Sequence, residues 1–239
     1  MIEQTRGYRQ RWIALGFMGI SLLIIALDNT VLNLALPSIS RSLGSNASEL
    51  QWIVDAYVLA IAGLLLTMGY IGDRLGRKPV LLAGLAAFGV CSLGAALSNS
   101  TGMLIAMRAL MGIGAACIMP ATLSILTATF RDNKERAQAI ALWAAVFALG
   151  MGIGPLVGGW LLDTFSWSSV FYINIPVAAV GIIGGAIFFQ NSKTLLLRNS
   201  SIPLTILIEP CSISIPIPIA IPISINLFLL LNKPSTFNL

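Results

Sequence analysis

The sequence predicts an all-α membrane protein with six transmembrane helices, followed by an irregular C-terminal tail. Of the 239 residues, 57% are hydrophobic and only 10% are charged. Soluble domains carry about 25% charged residues, so lipid is the expected solvent for this chain. Backbone polar groups must be paired within a bilayer, and long apolar runs therefore predict helices.

Six apolar segments are long enough to cross the hydrocarbon core, which takes about 20 helical residues. The predicted spans cover residues 12–36, 51–71, 79–98, 102–129, 137–162 and 168–189. The connection between the second and third spans, Asp73 to Pro79, is short enough only for a hairpin. No cleavable signal peptide is predicted, because the first span exceeds the length of a signal h-region and no small-residue cleavage site follows it.

The basic residues predict the orientation of these spans. They lie in short clusters between alternate apolar runs, which places the N-terminus and the end of the sixth span in the cytoplasm. No basic arm with interleaved aromatic residues is present, so nucleic acid is not an expected partner. The cytoplasmic clusters are Arg6, Arg9 and Arg11; Arg74, Arg77 and Lys78; Arg131, Lys134 and Arg136; and Lys193 and Arg198, whereas the opposite loops hold only Arg41.

The chain divides at residue 193 into a helical part, 1–193, and a tail, 194–239. All 22 glycines lie before this point. The tail contains the alternation SISIPIPIAIPISI at residues 212–225, where the prolines are too frequent for a helix or a central strand. We expect the tail to be disordered or the product of an altered reading frame.

Three charged residues fall within the predicted spans: Asp28, Asp55 and Arg108. A charge at the centre of a bilayer costs about 2.5–3.5 kcal/mol on insertion scales, so each one predicts a function. Asp55 and Arg108 lie nearer helix ends, and a purely structural position at the interface is an alternative for both. Asp28 lies deep in the first span, and its side chain is too short to reach the interface.

Enzymatic and metal chemistry find no support in the sequence. Histidine is absent, and Cys91, Cys117 and Cys211 are too far apart for a metal or redox motif. No nucleophile with a partner base is recognisable. Neither catalytic residues nor a cofactor is expected. Carboxylates are the groups expected to bind and release protons.

Four motifs resemble those of the major facilitator superfamily, and in particular its fourteen-span drug:proton antiporters. They are LDNTVLNLALP at residues 27–37, GYIGDRLGRK at 69–78, LIAMRALMGIGAA at 104–116 and GMGIGPLVGG at 150–159. Residues 52–57, WIVDAY, and 167–176, WSSVFYINIP, are similar to pumps that export quaternary ammonium compounds. The resemblance covers residues 12–189 and implies the N-terminal six-helix bundle of the major facilitator fold.

The resemblance also implies roles for these motifs. Asp28, Asp55 and Arg108 are expected to couple proton and drug movement, although Met111 replaces the polar residue usual in the fourth-helix motif. Gly150, Gly154, Pro155, Gly158 and Gly159 form the antiporter motif, and the glycines spaced by four share one helix face. The cytoplasmic gate motif comprises Gly69, Gly72, Asp73, Arg74, Gly76, Arg77, Lys78 and Arg136, of which Asp73, Arg77 and Arg136 are expected to form a latch.

The expected function is proton-coupled efflux of cationic drugs across the bacterial inner membrane, with the proton gradient as energy source. Removal from water favours the protonated form of a carboxylic acid. Asp28 is therefore predicted to bind either a proton or a cationic drug, but not both at once. The expected partners are the lipid bilayer, cationic amphipathic small molecules, protons and a second six-helix half.

Two alternatives stay open. Without a second half, the glycine groove of the fifth span and the acidic face of the first are expected to lack their usual partners. The chain is then a truncated, non-transporting membrane fragment that can pair with a full-length relative. A carrier of the same fold for sugars or other metabolites is the second alternative, although the motifs of the first and fifth spans favour drug export.

Overall fold

The computed structural model describes residues 2–188, with side-chain positions for residues 11–187. The predicted tail, the division at residue 193 and the basic residues Arg6, Arg9, Lys193 and Arg198 therefore lie outside the described side chains. The described helices belong to one unit, Met1–Asn199.

The described residues form helices and contain no strand, which confirms the predicted all-α class with six long apolar helices. The sixth span contains two helical segments on either side of Ile173, whose backbone also stays in the right-handed helical region (φ −63°, ψ −26°). The helices are α1 (Ile2–Leu43), α2 (Ala47–Leu75), α3 (Arg77–Ala96), α4 (Thr101–Thr129), α5 (Asn133–Thr164), α6 (Ser169–Tyr172) and α7 (Asn174–Phe188).

Helices α1, α2, α4 and α5 extend beyond the predicted spans because local capping, rather than the edge of the apolar run, determines where most of them begin. Asn46 and Glu49 form a reciprocal capping box at the start of α2. Ser100 accepts a hydrogen bond from the Met103 amide at the start of α4, and Asp132 caps α5.

Two glycines in the left-handed region allow tight connections between helices. Gly44 has φ +68° just after α1, and Gly76 has φ +105° between α2 and α3. The Gly76 amide donates to the carbonyl of Gly72, so the chain turns without leaving this N–H unpaired. Residues with a Cβ adopt such angles only with strain, and Gly76 therefore permits a one-residue hairpin.

The core lies around α1, α3 and α4. Helix α1 packs against α5 and α7, while α4 packs against α2 and α3. Most of the apolar length of α1 is buried, whereas α2 and α5 leave most of theirs exposed. This arrangement brings polar side chains of α1, α3, α4 and α7 together inside the bundle.

Candidate functional site

Asp28 lies on α1 in the interior of the bundle, with only 1% of its surface exposed. Its two carboxylate oxygens have different partners. Oδ2 accepts a hydrogen bond from Nη1 of Arg108 at 2.5 Å, and Oδ1 accepts one from Nδ2 of Asn174 at 3.1 Å. Asp28 therefore forms a buried ion pair with α4 and a second polar contact with α7.

Arg108 is fully buried on α4, so the alternative in which it reaches the membrane interface is wrong. Its Nε donates to the carbonyl of Ile53 at 3.1 Å, and its guanidinium lies 4.1 Å from the ring centre of Tyr57. Removing one partner of a buried ion pair typically costs about 3–5 kcal/mol, because the other charge is left uncompensated. The pair joins α1 and α4, and the remaining contacts of Arg108 fix both helices to α2.

Two polar atoms beside the ion pair have no hydrogen-bond partner within the described part of the chain. They are Nη2 of Arg108 and the hydroxyl of Tyr57, and both are buried. Buried donors are nearly always paired in folded proteins. Beyond the contacts that Arg108 makes with Asp28 and Ile53, the site therefore keeps groups that can form further hydrogen bonds.

Asn174 extends the site toward α3 and α6. Its Nδ2 also donates to Oγ of Ser92 at 3.1 Å, and the Ser92 hydroxyl donates to the carbonyl of Phe171 at 2.9 Å. Sequence reasoning missed Asn174 and Ser92, since neither carries a charge. The only signal was the position of Asn174 within the motif at residues 167–176.

Asp55 does not join this cluster, although Ile53 and Tyr57 on the same helix do. It is half-buried on α2 and has no hydrogen bond or ion pair with any described residue. Eight residues separate it from the start of α2, which corresponds to about 12 Å along the helix axis. The structure thus separates the two acidic residues of the predicted coupling set.

The gate motif holds together the ends of several helices. Arg77 pairs with Asp73 at 3.2 Å and donates from Nη1 to the carbonyl of Ser124 on α4 at 2.8 Å. Lys78 donates to the carbonyl of Ala186 near the end of α7 at 2.8 Å. Cations near helix C-termini satisfy terminal carbonyls and interact favourably with the helix dipole.

The remaining members of the motif are placed separately. Arg74 lies 4.8 Å from the ring centre of Tyr70, one turn earlier on α2. Gly72 is buried, and Gly69 lies near Pro120 of α4. The third member of the expected latch, Arg136, donates to Asn133 on its own helix, and no ion pair joins it to Asp73 among the described residues.

The glycine face of α5 packs against α1. A Cβ on Gly150 would lie 2.7 Å from Cβ of Ala26, and one on Gly154 would overlap Thr30. A Cβ on Gly158 would lie 3.0 Å from the side chains of Val31 and Leu34. Gly150, Gly154 and Gly158 are buried, whereas Pro155 is exposed and Gly159 is half-buried.

The acidic face of the first span also has contacts within the described helices. Asp28 is enclosed within the six helices and paired with Arg108. Periodic glycines predict a close helix contact, and a buried carboxylate predicts a compensating cation. Both partners are supplied by the described residues themselves.

Comparison with known proteins identifies one family. The family model of the Major Facilitator Superfamily matches residues 18–234. This match reaches into residues 194–239, which composition separates from the helical part, so the division at residue 193 stays a prediction.

Similar curated proteins are bacterial resistance and efflux proteins. The chain is 46% identical over 171 residues to the methyl viologen resistance protein SmvA of Salmonella typhimurium, covering 72% of this chain and 34% of that protein. It is 45% identical over 173 residues to the multidrug efflux pump LfrA of Mycolicibacterium smegmatis, with coverage of 72% and 34%. It is 40% identical over 169 residues to the methylenomycin A resistance protein of Streptomyces coelicolor, with coverage of 71% and 34%. The chain spans about a third of the length of these relatives.

Proposed function

Because the chain belongs to the Major Facilitator Superfamily, we propose that its six-helix part acts as the N-terminal half of a proton-coupled exporter of cationic drugs. The superfamily match confirms the resemblance stated from the motifs. Together with six apolar helices, it makes the chain a multi-pass membrane protein of the bacterial type. The proposed cargo is cationic and amphipathic, with quaternary ammonium compounds as the main class.

The observation that carries the proposal is the buried ion pair between Asp28 and Arg108. A carboxylate inside a membrane bundle is costly, and intramembrane ionisable groups commonly belong to proton or substrate pathways. Asp28 can neutralise one cation at a time: the Arg108 guanidinium, a proton or a cationic drug. Exclusive occupation of one carboxylate is sufficient to couple two fluxes without covalent chemistry.

Enclosure of Asp28 adds a condition to this exchange. With 1% of its surface exposed, Asp28 cannot contact a drug in this conformation. Protonation of Asp28 would leave the Arg108 charge without its partner, and an uncompensated buried charge is strongly unfavourable. We therefore propose that protonation and helix movement occur together, and that the glycine contact between α5 and α1 is the surface along which they move.

Asp55 supplies the second acidic contact in this proposal. Its carboxylate is half-buried and unpaired among the described residues, so a cation can bind it without displacing a protein partner. Trp52 lies three residues earlier on the same helix and is 53% exposed. Residues three apart share a helix face, and an indole ring attracts organic cations. The proposed outer contact thus combines a carboxylate and an aromatic ring.

The proposed cytoplasmic latch rests on Arg77 and Asp73. Arg77 bridges the end of α2 to the last turns of α4, since it contacts both Asp73 and the Ser124 carbonyl. Opening the cytoplasmic side would break these contacts. Arg136 remains a proposed member that would reach the latch only after a change of its side-chain position.

The proposal is tested by replacing Asp28 with Asn and measuring ethidium efflux driven by a pH gradient in vesicles containing the full 239-residue chain. We expect coupled efflux to fall at least tenfold, because the amide introduced by Asp28→Asn cannot exchange a proton. Asp163→Asn is the matched control, since Asp163 is exposed near the end of α5 and should leave efflux unchanged. If the unmodified chain transports, equal efflux by the Asp28 and control variants would remove Asp28 from the mechanism.

The second candidate is a non-transporting fragment that pairs with a full-length relative, the alternative left open by the sequence. Co-expression with such a relative distinguishes the two functions. A non-transporting partner gives no efflux alone and changes the efflux of the relative, whereas an independent exporter gives efflux alone that requires Asp28.

A further inference from the structure

We propose that Asn174 is a positioning residue for Asp28, holding its carboxyl group in both the ionised and the protonated state. The proposal rests on the proposed role of Asp28 as the proton site. Asn174 is the first residue of α7.

The contacts of Asn174 are unusual for a residue in a membrane span. Its Nδ2 lies 3.1 Å from both Oδ1 of Asp28 and Oγ of Ser92, so one amide nitrogen connects α7 to α1 and α3. Asn174 and Asp28 are each 1% exposed, and Ser92 is fully buried. Burying an amide is costly unless it is hydrogen-bonded, so the amide is favourable here only with these partners.

Ser92 makes a second contact close to this amide. It donates to the carbonyl of Phe171 on α6, and Asn174 follows Phe171 by three residues. Ser92 therefore contacts both α6 and α7, through the Phe171 backbone and through the Asn174 side chain. A change in the position of Asp28 would be transmitted to the start of α7 through this short network.

The chemistry of the two partners of Asp28 differs in one respect. Arg108 offers only donors and a fixed positive charge, so its ion pair is lost when Asp28 takes up a proton. Asn174 carries both N–H donors and a carbonyl acceptor. It can keep its N–H on the carbonyl oxygen of the acid, or turn its own oxygen toward the new O–H.

The surroundings support this division of roles. Among the described residues, the charged or titratable groups at this ion pair are Arg108 of α4, which pairs with Asp28, and Tyr57 of α2, whose ring lies beside the Arg108 guanidinium. The polar contacts from α3 and α7 come from the neutral groups Ser92 and Asn174. The Ser92 hydroxyl can also donate or accept, so the network can reverse its direction when Asn174 turns. Arg108 thus responds to the charge of Asp28, while Asn174 retains the position of Asp28.

Infrared spectroscopy tests the proposal without requiring transport. The full chain is placed in lipid nanodiscs with ¹³C in the aspartate carboxyl groups, and the bands of Asp28 are identified by their loss in Asp28→Asn. In Asn174→Leu, which is similar in size, we expect the carboxylate band of ionised Asp28 to move at high pH. At low pH, the C=O band of protonated Asp28 should move to higher wavenumber, because a lost hydrogen bond strengthens that bond.

Two further variants separate hydrogen bonding from general effects on folding. Ser92→Ala removes one acceptor of the Asn174 amide and should give smaller shifts of both bands. Asn33→Leu is the matched control, since Asn33 is exposed on α1 and bonds only the carbonyl of Asn29. It should leave both Asp28 bands in place.

The outcomes separate this inference from the proposed function. Shifts of both bands in Asn174→Leu, absent from Asn33→Leu, support the positioning role. An unshifted carboxylate band, or shifts equal to those of the control, would overturn it. If no protonated Asp28 band appears at any pH in the unmodified chain, the proton site itself is refuted, whereas the carboxylate band still decides whether Asn174 positions the ionised group.

Discussion

The contact between Gly154 and Thr30 predicts that a single added methyl group separates α5 from α1. In Gly154→Ala, the new Cβ would lie 2.7 Å from Cβ of Thr30 and would overlap its hydroxyl. Thr30 cannot turn away freely, because its Oγ1 donates to the carbonyls of Ala26 and Leu27 at 3.1 and 3.2 Å. The two helices must therefore move apart.

The size of the effect follows from a comparison with Gly152→Ala. Gly152 lies on the same helix, is exposed and has no neighbour that would meet an added Cβ. Both substitutions gain the same helix propensity, roughly 1 kcal/mol, so their difference isolates the clash. Overpacking a well-packed contact costs about 1–3 kcal/mol, and we expect Gly154→Ala to be less stable than Gly152→Ala by this amount.

Reversible unfolding of the full chain in mixed detergent micelles, followed by tryptophan fluorescence, provides the measurement. Adding Thr30→Ala to Gly154→Ala should recover part of the loss, because the hydroxyl and methyl groups that meet the new Cβ are removed. Coupling between residues in contact is typically about 0.5–3 kcal/mol. Stabilities of Gly154→Ala and Gly152→Ala within about 0.5 kcal/mol of each other would refute the assigned packing.

Three further predictions concern other parts of the bundle. Gly76→Ala should lower the free energy of unfolding by about 1–3 kcal/mol, because φ +105° strains a residue with a Cβ. Gly102→Ala is the control and should not lower it, since an added Cβ at Gly102 meets no neighbouring atom. Arg77→Gln should cost less than about 1 kcal/mol, since its ion pair with Asp73 is largely exposed, but should speed hydrogen exchange in the last turns of α4. Asp55→Asn should weaken binding of the dication propidium about 10- to 150-fold, because a lost charged contact is worth about 1.5–3 kcal/mol, and should weaken binding of the monocation ethidium less. Equal losses in a binding titration would argue against the proposed contact.

The sequence was sufficient to predict the helices and the residues that carry charge into the membrane. Long apolar runs identify spans because a bilayer leaves the backbone no alternative to helices or closed barrels. The lone charges Asp28 and Arg108 could be singled out for the same reason, since each is costly in lipid. The sequence does not show that these two form a pair, because 80 residues separate them.

The contacts that depend on three-dimensional packing could not be predicted. Four-residue spacing shows that Gly150, Gly154 and Gly158 share a helix face. It does not show which helix packs against that face. Asn174 and Ser92 carry no charge, and serine is common in membrane helices as a packing residue. Their importance appears only in the structure, where the packing of α7 against α1 and α3 places Asn174 beside Asp28 and Ser92.

The most direct measurement is the number of protons released when ethidium binds to the full chain in weakly buffered nanodiscs. If a cation and a proton exclude each other at Asp28, binding at a pH where Asp28 is protonated should release protons from the unmodified chain and from Asp163→Asn. Asp28→Asn should bind without this release. Equal proton release by Asp28→Asn, or binding to the unmodified chain with no release, would contradict the exchange at Asp28.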